Sequence, residues 1–273
     1  MSGFHHSLLN YYVPPNVPRG QFNRTQAGTY NFTVPQGVTS LCVLCLGGGA
    51  KGKISGGGGG GLAYANNIAV VPGQIFEVVV GAAGTTTTHG GDTYFYYPAF
   101  LQGGGGKRNA TGTDGMYGGG GGAGGYSGAG GSGGNIILSG YTPIPGGLGG
   151  TSTGIARTGG GAGGAGGVGY SGVNSTLTAA GQAGTGGGGG GGSSGRNLSG
   201  TGGGVGIFGE GTSGLGGIPS TDTALRNGGD GSSEFYYSNT SGRGASGDVG
   251  SPTDGAVHII WGFGRQFPST DVA

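Results

Sequence analysis

The chain has 273 residues, of which 82 are glycine and 11 proline, with 8% charged residues and a formal net charge of +1. One-third glycine without abundant proline or a strict Gly-X-Y phase excludes collagen. Near-zero charge without clustered Lys and Arg excludes the electrostatic footprint of a nucleic-acid or acidic-membrane binder; Lys51/Lys53 and Lys107/Arg108 are pairs of the kind found on solvated loop tips.

Met1 to Asn10 lacks the basic head and apolar run of a secretory signal, and no stretch reaches the length of a membrane span. The expectation is a protein made in the cytoplasm without membrane insertion. Residues 1–27 include Tyr11-Tyr-Val-Pro-Pro-Asn-Val-Pro18 and show no periodicity, which predicts an extended attachment arm with Tyr11, Tyr12, Pro14, Pro15 and Pro18 as its docking residues. From Thr29 the pattern changes: Tyr30, Phe32 and Val34 alternate with polar neighbours, and Pro35-Gln-Gly turns the chain into the apolar run Val38–Leu46. Further strands are predicted at Leu62–Val71, Ile75–Val80, Thr93–Tyr97 and Ala256–Trp261.

Cys42 and Cys45 form a Cys-x-x-Cys, but inside the Val38–Leu46 run they are three apart on a strand and point to opposite faces. They cannot pair without breaking that strand, and no second Cys/His pair completes a metal site. Both are expected to be reduced core residues. Gly47-Gly-Gly-Ala-Lys-Gly-Lys53 matches most of a phosphate-binding loop, yet Ile54 stands where Ser or Thr is needed and glycines follow instead of a helix, so the phosphate would have no helix N-terminus. His5, His6, His89 and His258 have no ligand spacing, and the few acids, among them Asp92 and Asp254, lie scattered in loops. No nucleophile, base and orienting acid come together; the chain reads as a non-enzyme without cofactor or metal.

Between residues 103 and 250 the glycine tracts keep a beat of three. Ala123, Tyr126, Ala129 and Ser132 interrupt one tract, Ala162, Ala165, Val168 and Ser171 a second, and Thr212, Leu215 and Ile218 a third. Three is the repeat of the left-handed polyproline-II-type helix, which polyglycine also adopts. That helix has no internal hydrogen bonds, so buried N–H and C=O groups must bond to neighbouring segments. Glycine's missing Cβ lets such backbones approach closely enough to do so. A flexible glycine linker is the competing reading, but a linker needs neither the beat nor strand segments at both ends of the region.

These observations predict a mainly-β chain with almost no α-helix: a small antiparallel β-sandwich from residues 28–102 and 251–273, and an inserted bundle of polyglycine-II helices over 103–250. One 17-residue rod at ~3.1 Å per residue would span about 50 Å. Aromatic residues interrupting the glycines, Tyr96, Tyr97, Tyr117, Tyr141, Tyr170, Phe235, Tyr236 and Tyr237, are the candidate contacts for a receptor or partner, since tyrosine joins a flat apolar face to one hydrogen-bonding tip. Plugging the seam between bundle and sandwich is the alternative use of such residues.

Two resemblances extend this reading. Gly28-Thr-Tyr-Asn-Phe-Thr-Val-Pro-Gln-Gly-Val-Thr-Ser40, a glycine-rich step and Gln74-Ile-Phe-Glu-Val-Val-Val-Gly81 resemble the glycine-rich module of anaplastic-lymphoma-kinase-type receptors, which implies a jelly-roll, tumour-necrosis-factor-like sandwich carrying polyglycine helices. Gly255-Ala-Val-His-Ile-Ile-Trp-Gly-Phe-Gly-Arg-Gln-Phe-Pro-Ser-Thr270, with Gly56–Tyr64 and Val205–Gly209, resembles glycine-rich virion proteins of tailed phages that infect marine cyanobacteria. That resemblance implies a virion location, in a tail fibre or appendage, with other virion proteins on the arm, a host cell-surface protein or glycan on the loops, and a homo-oligomer as one form of assembly. A decoration protein of capsid or tail that binds no receptor is the alternative. Ice binding is a weaker one, because Tyr126, Arg157, Val168 and Leu215 would spoil a flat face.

Overall fold

The computed structural model describes residues 17–51, 57–98, 100–106, 152–153, 203–208, 212, 215, 218 and 251–267. Alternating and β-branched segments form strands β1 (Gly20–Arg24), β2 (Gly28–Thr33), β3 (Ser40–Leu46), β4 (Leu62–Ala69), β5 (Ile75–Val80), β6 (Thr93–Phe95), β7 (Leu101–Gly103), β8 (Ser152–Thr153) and β9 (Ala256–Trp261). No helix occurs among the described residues. One sheet has the order β1-β9-β3-β4-β8 and the other β2-β5-β6-β7. Pairing is antiparallel throughout except between β4 and β8. The mainly-β expectation therefore holds, whereas the tracts 118–134 and 159–172 on which the helix bundle was read lie outside the described residues.

The two sheets enclose one core. Phe32, Val34, Phe76, Val78, Val80, Phe95 and Leu101 of the four-stranded sheet meet Leu41, Val43, Cys45, Val257 and Ile259 of the five-stranded sheet. The other face of the five-stranded sheet is covered as well. Cys42, Leu44, Leu46, Tyr64 and Ile260 are buried there beneath Val205, Ile207 and Phe267. Burial on both faces explains why Leu41–Leu46 is apolar without alternation. It also places Cys42 and Cys45 in different cores, both as free thiols.

Several segments depart from the boundaries read in the sequence. Gly20–Arg24, inside the segment assigned to the arm, is β1 and pairs with β9 along its whole length. Leu101–Gly103 is β7, Ser152–Thr153 pairs with β4, and Val205–Phe208 packs on the outer sheet face. The 103–250 region thus returns to the sheet at two described points, and at the second the Phe208 ring packs 4.9 Å from that of His258.

Where β3 ends, packing gives way to backbone bonding. Gly47 N–H donates to Gly61 O at 3.0 Å, Gly48 to Gly91 O at 2.9 Å, Gly49 to Thr253 O at 2.9 Å and Ala50 to Gly58 O at 2.9 Å. Gly47 and Ala50, three apart, thus address the same 57–61 segment, while the two residues between them address two others. Gly48 O and Gly49 O accept from Gly106 N–H and Gly84 N–H, each at 2.8 Å. A backbone that bonds to neighbours on three sides in turn is what a threefold chain without internal bonds requires. Side chains have no room: a Cβ on Gly48 would meet Ala82 O, one on Gly90 would meet Gly48 O, and one on Gly105 would meet Gly90 O. Two acids finish the cluster's bonding. Asp92 accepts from Gly105 N–H at 2.7 Å, and Asp254 bridges Ala27 N–H at 2.9 Å and Ala83 N–H at 2.7 Å.

Candidate functional site

The tyrosines of the 94–97 run are positioned by the β5–β6 ladder. Phe95 points into the core and is fully buried, and its ring packs 4.7 Å from Phe76. Tyr96 then leaves the strand with φ of 70°, a left-handed conformation that a bulky residue adopts only when its surroundings enforce it. The enforcement is visible: Tyr96 N–H donates to Glu77 O at 2.7 Å, Tyr97 N–H to Phe95 O at 3.0 Å, and Phe100 N–H to Tyr97 O at 2.9 Å.

The strained turn presents rings to solvent on a fixed base. Tyr96 stands edge-on to Phe76 at 5.4 Å and 89°, Tyr97 lies 4.7 Å from Tyr96, and Phe100 lies 5.8 Å from Tyr97. Tyr96 and Tyr97 remain 47% and 46% exposed. Nearby, the Tyr94 hydroxyl approaches Glu77 Oε1 at 3.5 Å. The result is an aromatic corner with hydroxyls and restricted backbone freedom, while the Tyr94–Glu77 pair lies on the opposite face of the sheet. The corner can bind by stacking and hydrogen bonding; it holds no nucleophile and base pair.

A recess opens on the five-stranded sheet at the end away from the glycines, beside Ser40, Cys42 and Trp261. Opposite Cys42 the β3–β4 register shifts, so Asn66 and Asn67 face one residue and form a bulge. Asn67 takes φ of 57°, and Asn66 clamps the backbone of Phe267, donating to its carbonyl at 2.8 Å and accepting from its N–H at 3.0 Å. The cavity beside the bulge has a volume of about 440 Å³, with Cys42, Asn67, Trp261, Phe263 and Arg265 among its lining residues. Arg265 is 6% exposed and donates to Gly20 O and to Gln21 Oε1 at 3.3 Å. Cys42 donates its S–H to Arg265 O at 3.3 Å, and burial pushes its thiol pKa up against the weaker opposing pull of a hydrogen bond from the Asn67 backbone and of the Arg265 guanidinium. A thiol held protonated is no nucleophile.

His258 lies on the covered sheet face. Its Nδ1 is 2.8 Å from Ile207 O, so Nδ1 carries the proton, and Nε2 is buried without a hydrogen-bond partner. Burial lowers its pKa to about 4, outweighing the raising effect of the Ile207 carbonyl, with Arg265 pushing in the same direction as burial. The imidazole is therefore a neutral fastener for Val205–Phe208. Among the described residues no three His, Cys, Asp or Glu side chains gather as a metal site.

Of the residues read from the sequence as contacts, Tyr96 and Tyr97 are brought together and exposed. Tyr117, Tyr141, Tyr170, Phe235, Tyr236 and Tyr237 lie outside the described residues, as do Tyr11, Tyr12, Pro14 and Pro15; Pro18 is exposed. Sequence reasoning missed Phe76 and Phe100 as the base of the corner and the Asn66-Asn67 bulge. The paired asparagines inside an otherwise apolar strand were the available signal for the latter.

No curated protein matches the sequence. A family model described as a glycine-rich domain matches residues 24–251, a span that begins at the last residue of β1 and takes in every strand from β2 to β8 together with the glycine cluster. Most of the chain falls within that match, and the protein belongs to this glycine-rich domain family.

Proposed function

We propose that the chain is a virion structural protein of a tailed phage, built into a tail fibre or appendage, which attaches to the host surface through aromatic loops on a stiff glycine-bonded scaffold. The observation that supports this reading best is the Tyr96–Tyr97 corner. It sets two half-exposed rings on a turn whose backbone is strained and tied down by the N–H groups of Tyr96, Tyr97 and Phe100. Rings fixed in advance lose little entropy on binding, and their flat faces with hydroxyl tips suit a sugar ring or a protein loop. Attachment by surface complementarity needs no bond made or broken. The glycine cluster supports the same reading, because interlocked backbones give stiffness without a wide hydrophobic core. The resemblance of residues 255–270 to cyanophage virion proteins supports the virion location, and Tyr11, Tyr12, Pro14, Pro15 and Pro18 of the N-terminal arm would hold the neighbouring virion protein.

Adsorption of the purified chain to host cells tests this. Tyr96→Gly combined with Tyr97→Ala removes both rings while giving position 96 a residue suited to φ of 70°. Cell binding is expected to fall about tenfold or more, the effect of losing aromatic anchors, with the β-sheet circular dichroism of the parent retained. Undiminished adsorption would overturn host attachment at this corner and leave the decoration role as the better account.

A further inference from the structure

Every open sheet ends in edges, and among the described residues one edge is unprotected. Among the described residues the five-stranded sheet ends in β1 and β8 and the four-stranded sheet in β2 and β7. β7 and β8 have three and two residues, and β1 ends in the charged Arg24. Short or charged edges resist pairing with other chains. β2 is different. Its six residues, Gly28 to Thr33, carry no charge and no proline, and its register with β5 is unbroken.

The hydrogen-bond parity of β2 is fixed by its last neighbour. Val34 donates to Gln74 O and accepts from Gly73 N–H, both at 2.9 Å, so Val34 turns its polar groups toward the β5 side. Alternation along an antiparallel strand then turns those of Phe32 and Tyr30 to β5 and those of Thr29, Asn31 and Thr33 to the outer edge. Those three residues are exposed.

The sequence of this edge reads nearly the same in both directions: Thr29, Tyr30, Asn31, Phe32, Thr33. We infer that β2 is a self-pairing edge, whose partner is β2 of a second copy of this chain, antiparallel about a twofold axis through Asn31. In that register Asn31 faces Asn31 of the second copy, and Thr29 faces Thr33 of the second copy. These are the positions whose N–H and C=O groups point outward, so all three pairs close their bonds. Between them Tyr30 faces Phe32 of the second copy on the core side, an aromatic cross-strand pair that continues the Phe22–Phe32 contact of 5.3 Å already present inside each sandwich. Thr–Thr pairs lie on the solvent side. The two four-stranded sheets join into one eight-stranded sheet, an isologous contact that closes at two copies.

The full-length chain carrying Asn31→Cys tests the register directly. A hydrogen-bonded antiparallel pair has Cα atoms about 5.5 Å apart, within the span of a disulfide, and the native thiols Cys42 and Cys45 are buried and do not compete. Mild oxidation is expected to convert this variant to a covalent dimer at least about tenfold faster than a chain with Thr87→Cys, in the exposed loop before His89. Asn31→Lys is the second variant. It leaves the interior untouched and sets two cations face to face at the axis, so sedimentation equilibrium should show a dimer dissociation constant raised about tenfold or more over that of the unaltered chain. Equal crosslinking rates at positions 31 and 87, or an association unchanged by Asn31→Lys, would overturn the inference. Neither result depends on host attachment, which the two tyrosine substitutions test alone.

Discussion

The space between the two sheets and the glycine cluster beyond β3 are both close-packed, but by different means. In the first, side chains such as Phe95, Leu41 and Ile259 fill the volume and rotamers can adjust. In the second, backbone lies against backbone, and the atom next to most of the glycine hydrogens, as at Gly47, Gly48, Gly81, Gly90 and Gly105, is a backbone carbonyl oxygen. A side-chain core therefore degrades by degrees under substitution, whereas a backbone-bonded cluster admits no added atom. High glycine content, read alone as a flexible composition, here marks the least forgiving part of the described molecule.

The most severe test of that contrast is Gly105→Ala. Its new methyl would meet the Gly90 carbonyl, with Gly91 C at 2.9 Å, and neither is a side chain that can move aside. Overpacking between side chains costs about 1–3 kcal/mol; here about 4 kcal/mol or more is expected, seen as a loss of denaturant midpoint together with faster amide exchange at Gly48 and Gly90. A cost under about 1 kcal/mol would mean that the cluster yields like a side-chain core.

Acid probes the outer sheet face next. The folded-state pKa of His258, about 4, lies below the ordinary value of 6.5, so between those values the unfolded chain binds more protons than the folded one. The stabilising contribution is fully present above pH 6.5 and falls away as pH drops toward 4, by about 3 kcal/mol in total. Unfolding followed across that window should show the loss, and His258→Gln should remove most of the slope.

Two smaller effects separate conformation from space. Gly73 has φ of +82° and nothing within 4 Å of a built Cβ, so Gly73→Ala should cost only the left-handed penalty, about 1–2 kcal/mol. Ile259→Val, which removes one methylene from the core between the sheets, should cost about 1 kcal/mol. If Gly73→Ala proved as damaging as Gly105→Ala, backbone angle and not contact would be the governing term. Thermal melts of the two variants side by side decide this.

Much of the sandwich could be read from residue pattern. Alternation marks β2, a continuous apolar run marks β3, and β-branched residues mark β5 and β9. β1 and β7 escaped because Gly20-Gln-Phe-Asn-Arg24 and Leu101-Gln-Gly103 have neither length nor alternation; β7 is a strand because the nearby Phe95 to Thr93 supply its bonds, and β1 because the distant Trp261 to Val257 do. The same non-locality hid the recess by Arg265, whose guanidinium meets Gly20 and Gln21 across 245 and 244 positions of sequence. Tyr96 and Tyr97 stood out as part of an aromatic run, but the left-handed turn at Tyr96 has no local signature, since a bulky residue is the opposite of what that angle favours. Gly47–Ala50 is bonded through its backbone to several neighbouring segments, and the tracts that carry the period of three lie outside the described residues.

The direction of β9 has a mechanical consequence. Its first residue, Ala256, sits beside Leu46 at the glycine end, and its last, Trp261, sits beside Gly20 at the opposite end. Tension applied between Gly20 and the glycines thus runs along the strands, loading the β1–β9 and β9–β3 ladders in shear. Their bonds must then fail together and not one after another, so the sheet acts as a lap joint that transmits force without peeling.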